Sequence, residues 1–141
     1  MKKAMIFIII LLVAFMLAVP LVNDFFAKNV ENSLLEIALP ENTQMVESVS
    51  KAGKLVGNGN GMQYFGAMLI KSEQTLEELS AYYVDVNADI VVKKQTSQAM
   101  ECVEHAQLSF TTQVTDTDNY YIVYLFGEGL APFSQLDIRG H

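Results

Sequence analysis

Residues 4–22 read AMIFIIILLVAFMLAVPLV, nineteen consecutive residues without a charge, a side-chain amide or a hydroxyl. Coiled as an α-helix, that run is about 28 Å long at ~1.5 Å per residue. The hydrocarbon core of a bilayer is roughly 30 Å thick. A helix pairs its own backbone N–H and C=O groups, which a single segment must do to lie in lipid. Pro20 sits near the end of the run, where its missing N–H and its ring bend the last turn at most. The run is therefore read as a transmembrane helix.

Charge sets the expected orientation. Lys2, Lys3 and the α-amino group precede the run, and Asp24 is the first charge after it. The positive-inside bias then places residues 1–3 in the cytoplasm and the body that follows the run outside the plasma membrane. A cleaved signal peptide is the rival reading. Its apolar core is usually about 7–15 residues long and is followed by an A-x-A-like site. Here Ala18 is preceded at the critical position by Met16, and Ala27 by Phe25. An uncleaved signal anchor is expected. Cys102 is the only cysteine. No lipid-attachment cysteine follows the run and no intramolecular disulfide can form, so an external domain must be held by its apolar core.

Of the nine Lys and Arg, only Lys2 and Lys3 precede the run, and none of the 16 Asp and Glu do. The rest of the chain thus carries seven cations against 16 acids, a net charge of −9. Such a surface repels nucleic-acid phosphates and anionic lipid headgroups. Nucleic acid is excluded as a partner, and the body is not expected to lie on a membrane through charge.

Hydrophobic periodicity organises the chain beyond the apolar run. In residues 24–38, Phe26, Val30, Leu34 and Ile37 recur at helical spacing. Pro40 stops that pattern. Residues 23–40 are read as a juxtamembrane helix or linker leaning on the body, with an extended stalk as the alternative. Residues 44–50 read as a weak strand, and the glycines of 53–61 as a turn. Residues 62–71 are apolar on both faces, so they form a central strand covered on both sides. Gly66 within it marks a bulge or a close approach by a side chain. Thr75 and Glu78 form a capping box. Leu76, Leu79, Tyr83 and Val86 stripe the helix it opens. Residues 89–94 read as a short strand. The alternation at 108–114 and the apolar run at 120–127 read as a hairpin across the turn at 115–119, and the tail from Glu128 as cover for a sheet edge.

The expected fold is α+β: a transmembrane helix over 4–22, then an extracytoplasmic domain over 41–141. That domain holds a small mixed or antiparallel sheet in the order β-β-α-β-β-β, with one main helix on one face. The strands at 62–71 and 89–94 run parallel if they share a sheet. The opposite face is solvated, or covered by the juxtamembrane helix and the tail.

Few residues suggest chemistry. Glu101, Cys102, Glu104 and His105 are zinc-competent types, and on a helix Glu101 and Cys102 would each share a face with His105. A second ligand pair is missing from the sequence, since the other histidine is His141. The same Cys102 and His105 could form a thiolate–imidazole nucleophile pair. The glycines at 57, 59 and 61 lack the Lys and the helix after it that a phosphate loop requires. The acids Glu73, Glu77, Glu78, Asp85 and Asp89 read as a solvated helix face. Tyr82, Tyr83, Tyr120, Tyr121 and Tyr124 could line an aromatic binding groove or fill core edges. Ala14 and Ala18 are a weak helix-contact pair. Asp137 and Arg139 read as a surface ion pair of little worth.

The expectation is a single-pass, membrane-anchored protein with an acidic, non-catalytic binding or regulatory domain at the cell envelope. It has no catalytic residue, metal or cofactor. Its partners are the membrane, through residues 4–22, and an envelope protein. Two alternatives are an accessory subunit of a membrane complex and a thiol or metal enzyme using Cys102 and His105.

Overall fold

A computed structural model describes residues 2–141. Helix α1 (Lys2–Leu35) is followed by strands β1 (Thr43–Gly53) and β2 (Gln63–Ser72). Helix α2 (Leu76–Val86), β3 (Val91–Lys94) and β4 (Tyr120–Phe126) come next, and two short 3-10 turns (Ser134–Leu136 and Ile138–Gly140) end the chain.

The apolar run and the juxtamembrane segment are one unbroken helix. Pro20 lies inside it, so the helix runs through the residue rather than ending there. There is no extended stalk. Every residue from Met5 to Leu17 in the first half of α1 is exposed, Phe15 the least of the large side chains because the tail ring of Phe133 meets it. The second half is a wall of the body: Val19, Asn23, Ala27, Glu31 and Leu34 are buried, spaced by four, four, four and three. The expected stripe is kept in part: Leu34 is buried, and Phe26, Val30 and Ile37 pack half-buried against the body. The closest line of contact runs through Ala27 and Glu31. The approach is close because the strand offers a glycine: α1 crosses β2 at Gly66 with the two main chains touching at Glu31.

The sheet has four strands in the order β1-β2-β4-β3, and every neighbouring pair is antiparallel. It is therefore an antiparallel sheet, not a mixed one, although β2 and β3 do run parallel with β4 between them. A register shift between Met45 and Glu47 places the bulge on β1 rather than at Gly66. Residues 108–114 form no strand beyond one bridge, Ala99 to Ser109, so the expected hairpin with β4 is absent. Their alternation is real all the same: Phe110 and Val114 are buried while Ser109, Thr111 and Gln113 are exposed.

Both faces of the sheet are covered. On one, α1 and α2 pack Leu34, Leu79 and Tyr83 against Met68, Ile70, Tyr121 and Val123. On the other, the long connection between β3 and β4 lays Met100, Val103, Phe110 and Val114 on Phe65, Ala67, Leu69 and Ile122. The juxtamembrane helix and the tail do not cover that second face. The capping box of α2 forms as expected, Thr75 accepting from the Glu78 N–H and Glu78 from the Thr75 N–H. Val86 stays exposed, so the α2 stripe stops at Tyr83. The tail packs at the hairpin end of β1, where the Lys54 N–H donates to the Arg139 carbonyl at 2.7 Å, and along α1.

Candidate functional site where helix α1 enters the body

A buried polar cluster forms where α1 leaves the body. Asn23, on the first turn beyond the apolar run, sits between two partners. Its Oδ1 accepts from the Tyr64 hydroxyl of β2 at 2.7 Å, and its Nδ2 donates to Asp137 Oδ2 at 2.8 Å. The Tyr64 hydroxyl in turn accepts from the Ala131 N–H at 3.0 Å. Arg139 closes the cluster. Its Nε and Nη2 donate to the Asp137 carboxylate at 3.0 and 2.7 Å. Its Nη1 donates to Asp24 at 2.7 Å, and Nη2 also to the Pro20 carbonyl at 3.0 Å.

Asp137 and Arg139 are thus a clasp between the tail and the helix rather than a surface pair. Asp137 is 2% exposed. The hydrogen bonds from Arg139 hold its carboxyl at about 2, against the cost of burial and with help from Asn23. The same pairing raises Arg139 further above its already high ordinary value. A guanidinium suits this position because its fork meets two carboxylates and a carbonyl at once.

About two turns further along α1, Glu31 faces β1. Burial opposes its ionisation, but hydrogen bonds from Lys28, Ser48 and Ser50 outweigh that and hold its carboxyl below the ordinary range. Lys28 Nζ lies 2.7 Å from it and the Ser48 hydroxyl 2.6 Å. A buried carboxylate is retained only when paired and hydrogen-bonded, and both conditions are met.

The residues singled out for chemistry are placed apart. Cys102, within the β3–β4 connection, is half-buried against the core, and burial pushes its thiol up, which disfavours the reactive thiolate. Glu101 and Cys102 border a small hollow of about 60 Å³ with Lys93 and Gln95. His105 turns elsewhere, its Nε2 lying 2.7 Å from the Gly57 carbonyl, and Glu104 accepts from the Gly57 N–H at 2.9 Å. Their backbone N–H groups both donate to the Leu55 carbonyl. Residues 104–105 thereby pin the glycine turn. Residues 101–105 form turns and bends rather than a helix, so the expected sharing of a helix face does not arise. Among the described residues, no group of three or more His, Cys, Asp or Glu is placed to hold a metal.

The tyrosines divide between the two faces. Tyr82 and Tyr83 belong to the helix layer, where Tyr82 donates to the Ala38 carbonyl at 2.8 Å. Tyr120 and Tyr124 pack with the opposite core, so these four do not line one groove. Among the described residues, a cleft of about 200 Å³ adjoins the junction cluster, between Asp24, Ser50, Lys51 and Arg139, and two larger open clefts lie elsewhere. One, of about 470 Å³, lies where the bulged end of β1 meets β2, between Asn42, Gln44, Lys71 and Asn119. The other, of about 510 Å³, lies between α1 and the end of β4, with Phe26, Ser33, Asp89 and Glu128 among its lining. Neither brings together Glu101, Cys102 and His105 or the four tyrosines.

The junction is hidden from a reading of the sequence because Asn23, Tyr64 and Asp137 are far apart along the chain. The one visible signal is the spacing of Asp137 and Arg139. Comparison of the chain with protein-family models, with curated proteins and with solved structures finds no match to any of them.

Proposed function

We propose that this is a single-pass protein of the plasma membrane, with its N-terminus in the cytoplasm. Its acidic body is a non-catalytic binding or regulatory domain held at the extracytoplasmic face. The supporting observation is the division of α1. One helix has an apolar half with mean hydropathy 3.2, almost wholly exposed, and a second half built into the core. An apolar surface that large is not left in water by a soluble monomer. A helix in lipid exposes it at no cost. The clasp of Asn23, Asp137 and Arg139 at the end of the apolar run supports a body seated against the bilayer.

The non-catalytic reading is supported by the duties its reactive side chains already have. Cys102 fills the core edge, and Glu104 and His105 hold a turn. The test is membrane fractionation of the full chain with alkaline carbonate washing, followed by protease added to intact cells stripped of any wall. The protein stays in the pellet and residues 41–141 are digested. Release by carbonate overturns the anchor, and protection from protease overturns the orientation. Metal analysis of the purified protein, with and without Cys102→Ser, tests the non-catalytic reading. A stoichiometric metal lost in the variant overturns it.

A further inference from the structure

The tail carries large apolar side chains in the open, on the side of the body from which α1 departs. Leu130 is 66% exposed, Phe133 53%, Leu136 50% and Ile138 85%. Between Gly129 and Gly140 the only charges are Asp137 and Arg139, and these are paired with one another.

The tail does not stop where the apolar run stops. The Phe133 ring meets the Phe15 ring edge-on, with centroids 5.1 Å apart. Val19, still within the apolar run, is buried, and Arg139 reaches the Pro20 carbonyl. Phe15 lies seven residues before Val22, so Phe133 stands about 10 Å down the helix axis from the end of the run at ~1.5 Å per residue. The run needs nearly all of its length to cross the hydrocarbon. A bilayer that holds residues 4–22 therefore also surrounds the segment lying beside Phe15. The backbone at Phe133, which opens the 3-10 turn, has a φ of 61°, a left-handed conformation that a bulky residue rarely adopts.

We propose that residues 130–138 form a second membrane contact, dipping into the leaflet beside α1 with Leu130, Phe133, Leu136 and Ile138 facing lipid acyl chains. The proposal rests on residues 4–22 lying in a bilayer. Lipid is favoured over a protein partner by the continuity of the tail with the apolar half of α1. The contact is apolar and lies near the interface at both ends of the segment, where Arg139 meets Pro20 and Ala131 meets Tyr64, and only Phe133 reaches the deep limit of the roughly 5–10 Å that interfacial segments enter. The acidic body therefore approaches the membrane without attraction to headgroups. Arg139, paired with Asp137 and Asp24, lies at the level of Pro20, where a long cationic side chain can keep its head near the interface.

The chain contains no tryptophan, so single tryptophans report depth without background. Ile138→Trp and Leu130→Trp sample the tail, Phe7→Trp the anchor and Val84→Trp the exposed far side of α2. Each full-length variant is placed in phosphatidylcholine vesicles with lipids brominated at shallow or deep acyl positions. The tail tryptophans emit in the blue and lose most of their fluorescence to shallow bromines, while Val84→Trp is unaffected. If Phe7→Trp is quenched by deep bromines but both tail tryptophans respond only to aqueous acrylamide, the tail contact is overturned and the anchor stands. If Phe7→Trp escapes quenching, the anchor fails and the tail contact with it. Blue tail emission that bromolipids leave unquenched means that protein, such as a second copy, covers the patch, which also overturns the proposal.

Discussion

Gly66 of β2 lies against the main chain of Glu31 in α1: a Cβ built on Gly66 would stand 2.5 Å from the Glu31 nitrogen and 2.7 Å from its Cα. No side chain can move aside, since both obstacles are backbone. Gly66→Ala must push the helix off the sheet, a strain of the overpacking kind that costs about 1–3 kcal/mol. The full-length variant in detergent unfolds at a lower temperature by circular dichroism. Gly59→Ala, at an exposed turn position with nothing within 4 Å, leaves the midpoint unchanged.

Arg139→Ala leaves the buried Asp137 carboxylate without its cation. Breaking a buried pair from one side costs roughly 3–5 kcal/mol, and the lower end applies because the Arg139 side chain is 31% exposed. Denaturant unfolding reads the loss. Arg139→Lys recovers only part of it, because an ammonium cannot present the fork that serves Asp137, Asp24 and Pro20.

Acid weakens the same clasp. The Asp137 carboxyl titrates at about 2 in the fold against an ordinary 3.8. A group depressed on folding stabilises above its unfolded pKa and loses that contribution as the pH falls through its folded one. The difference is worth about 2 kcal/mol by linkage, present above about pH 4 and lost towards pH 2. Glu31 and Glu47 are also depressed and act in the same direction. Asp137→Asn gives a less stable protein at neutral pH whose unfolding midpoint falls less steeply over that window.

Glu47 fastens the cover of the second sheet face. Its carboxylate accepts from the Thr111 and Thr112 N–H groups, at 2.9 to 3.0 Å, and from the Thr112 hydroxyl at 3.0 Å. Hydrogen bonds to a charged group are worth about 1.5–3 kcal/mol. Glu47→Ala lowers stability by the smaller of these figures, because water replaces part of the loss. Limited proteolysis of the variant cuts first within residues 95–119.

The Tyr83 hydroxyl is buried without a hydrogen-bond partner, and burial, with a smaller effect of Tyr82, pushes it up to about 12. An unsatisfied buried hydroxyl costs about 1–3 kcal/mol. Tyr83→Phe removes the polar atom and keeps the ring, so thermal stability is unchanged or raised.

The elements that read correctly from the sequence are those with a local cause. Thr75 and Glu78 announce the start of α2 through side chains that bond its own first turn. The two-faced apolar run around Met68 marks β2 as central. Residues 108–114 mislead because alternation reports which side is buried, not where backbone groups bond. The Phe110 N–H donates to the Gln98 carbonyl, and those of Thr111 and Thr112 to Glu47, so no ladder with β4 is needed. Periodicity draws the α1 stripe through Phe26, Val30, Leu34 and Ile37, which do pack on the body, but it misses the closer line through Ala27 and Glu31 that Gly66 on another strand permits. The junction cluster joins Asn23 to Asp137 across 114 positions. Separation on that scale leaves no periodic trace.

Because α1 passes from its greasy half into the core without a break, the molecule has no swivel. Whatever tilts the first half of the rod turns the sheet through the same angle. In the proposed membrane-anchored arrangement, each exposed surface of the body is thus held at a fixed height and azimuth. A partner reaching for it meets one pose rather than a tumbling target, and the entropy of orientation has been surrendered in advance.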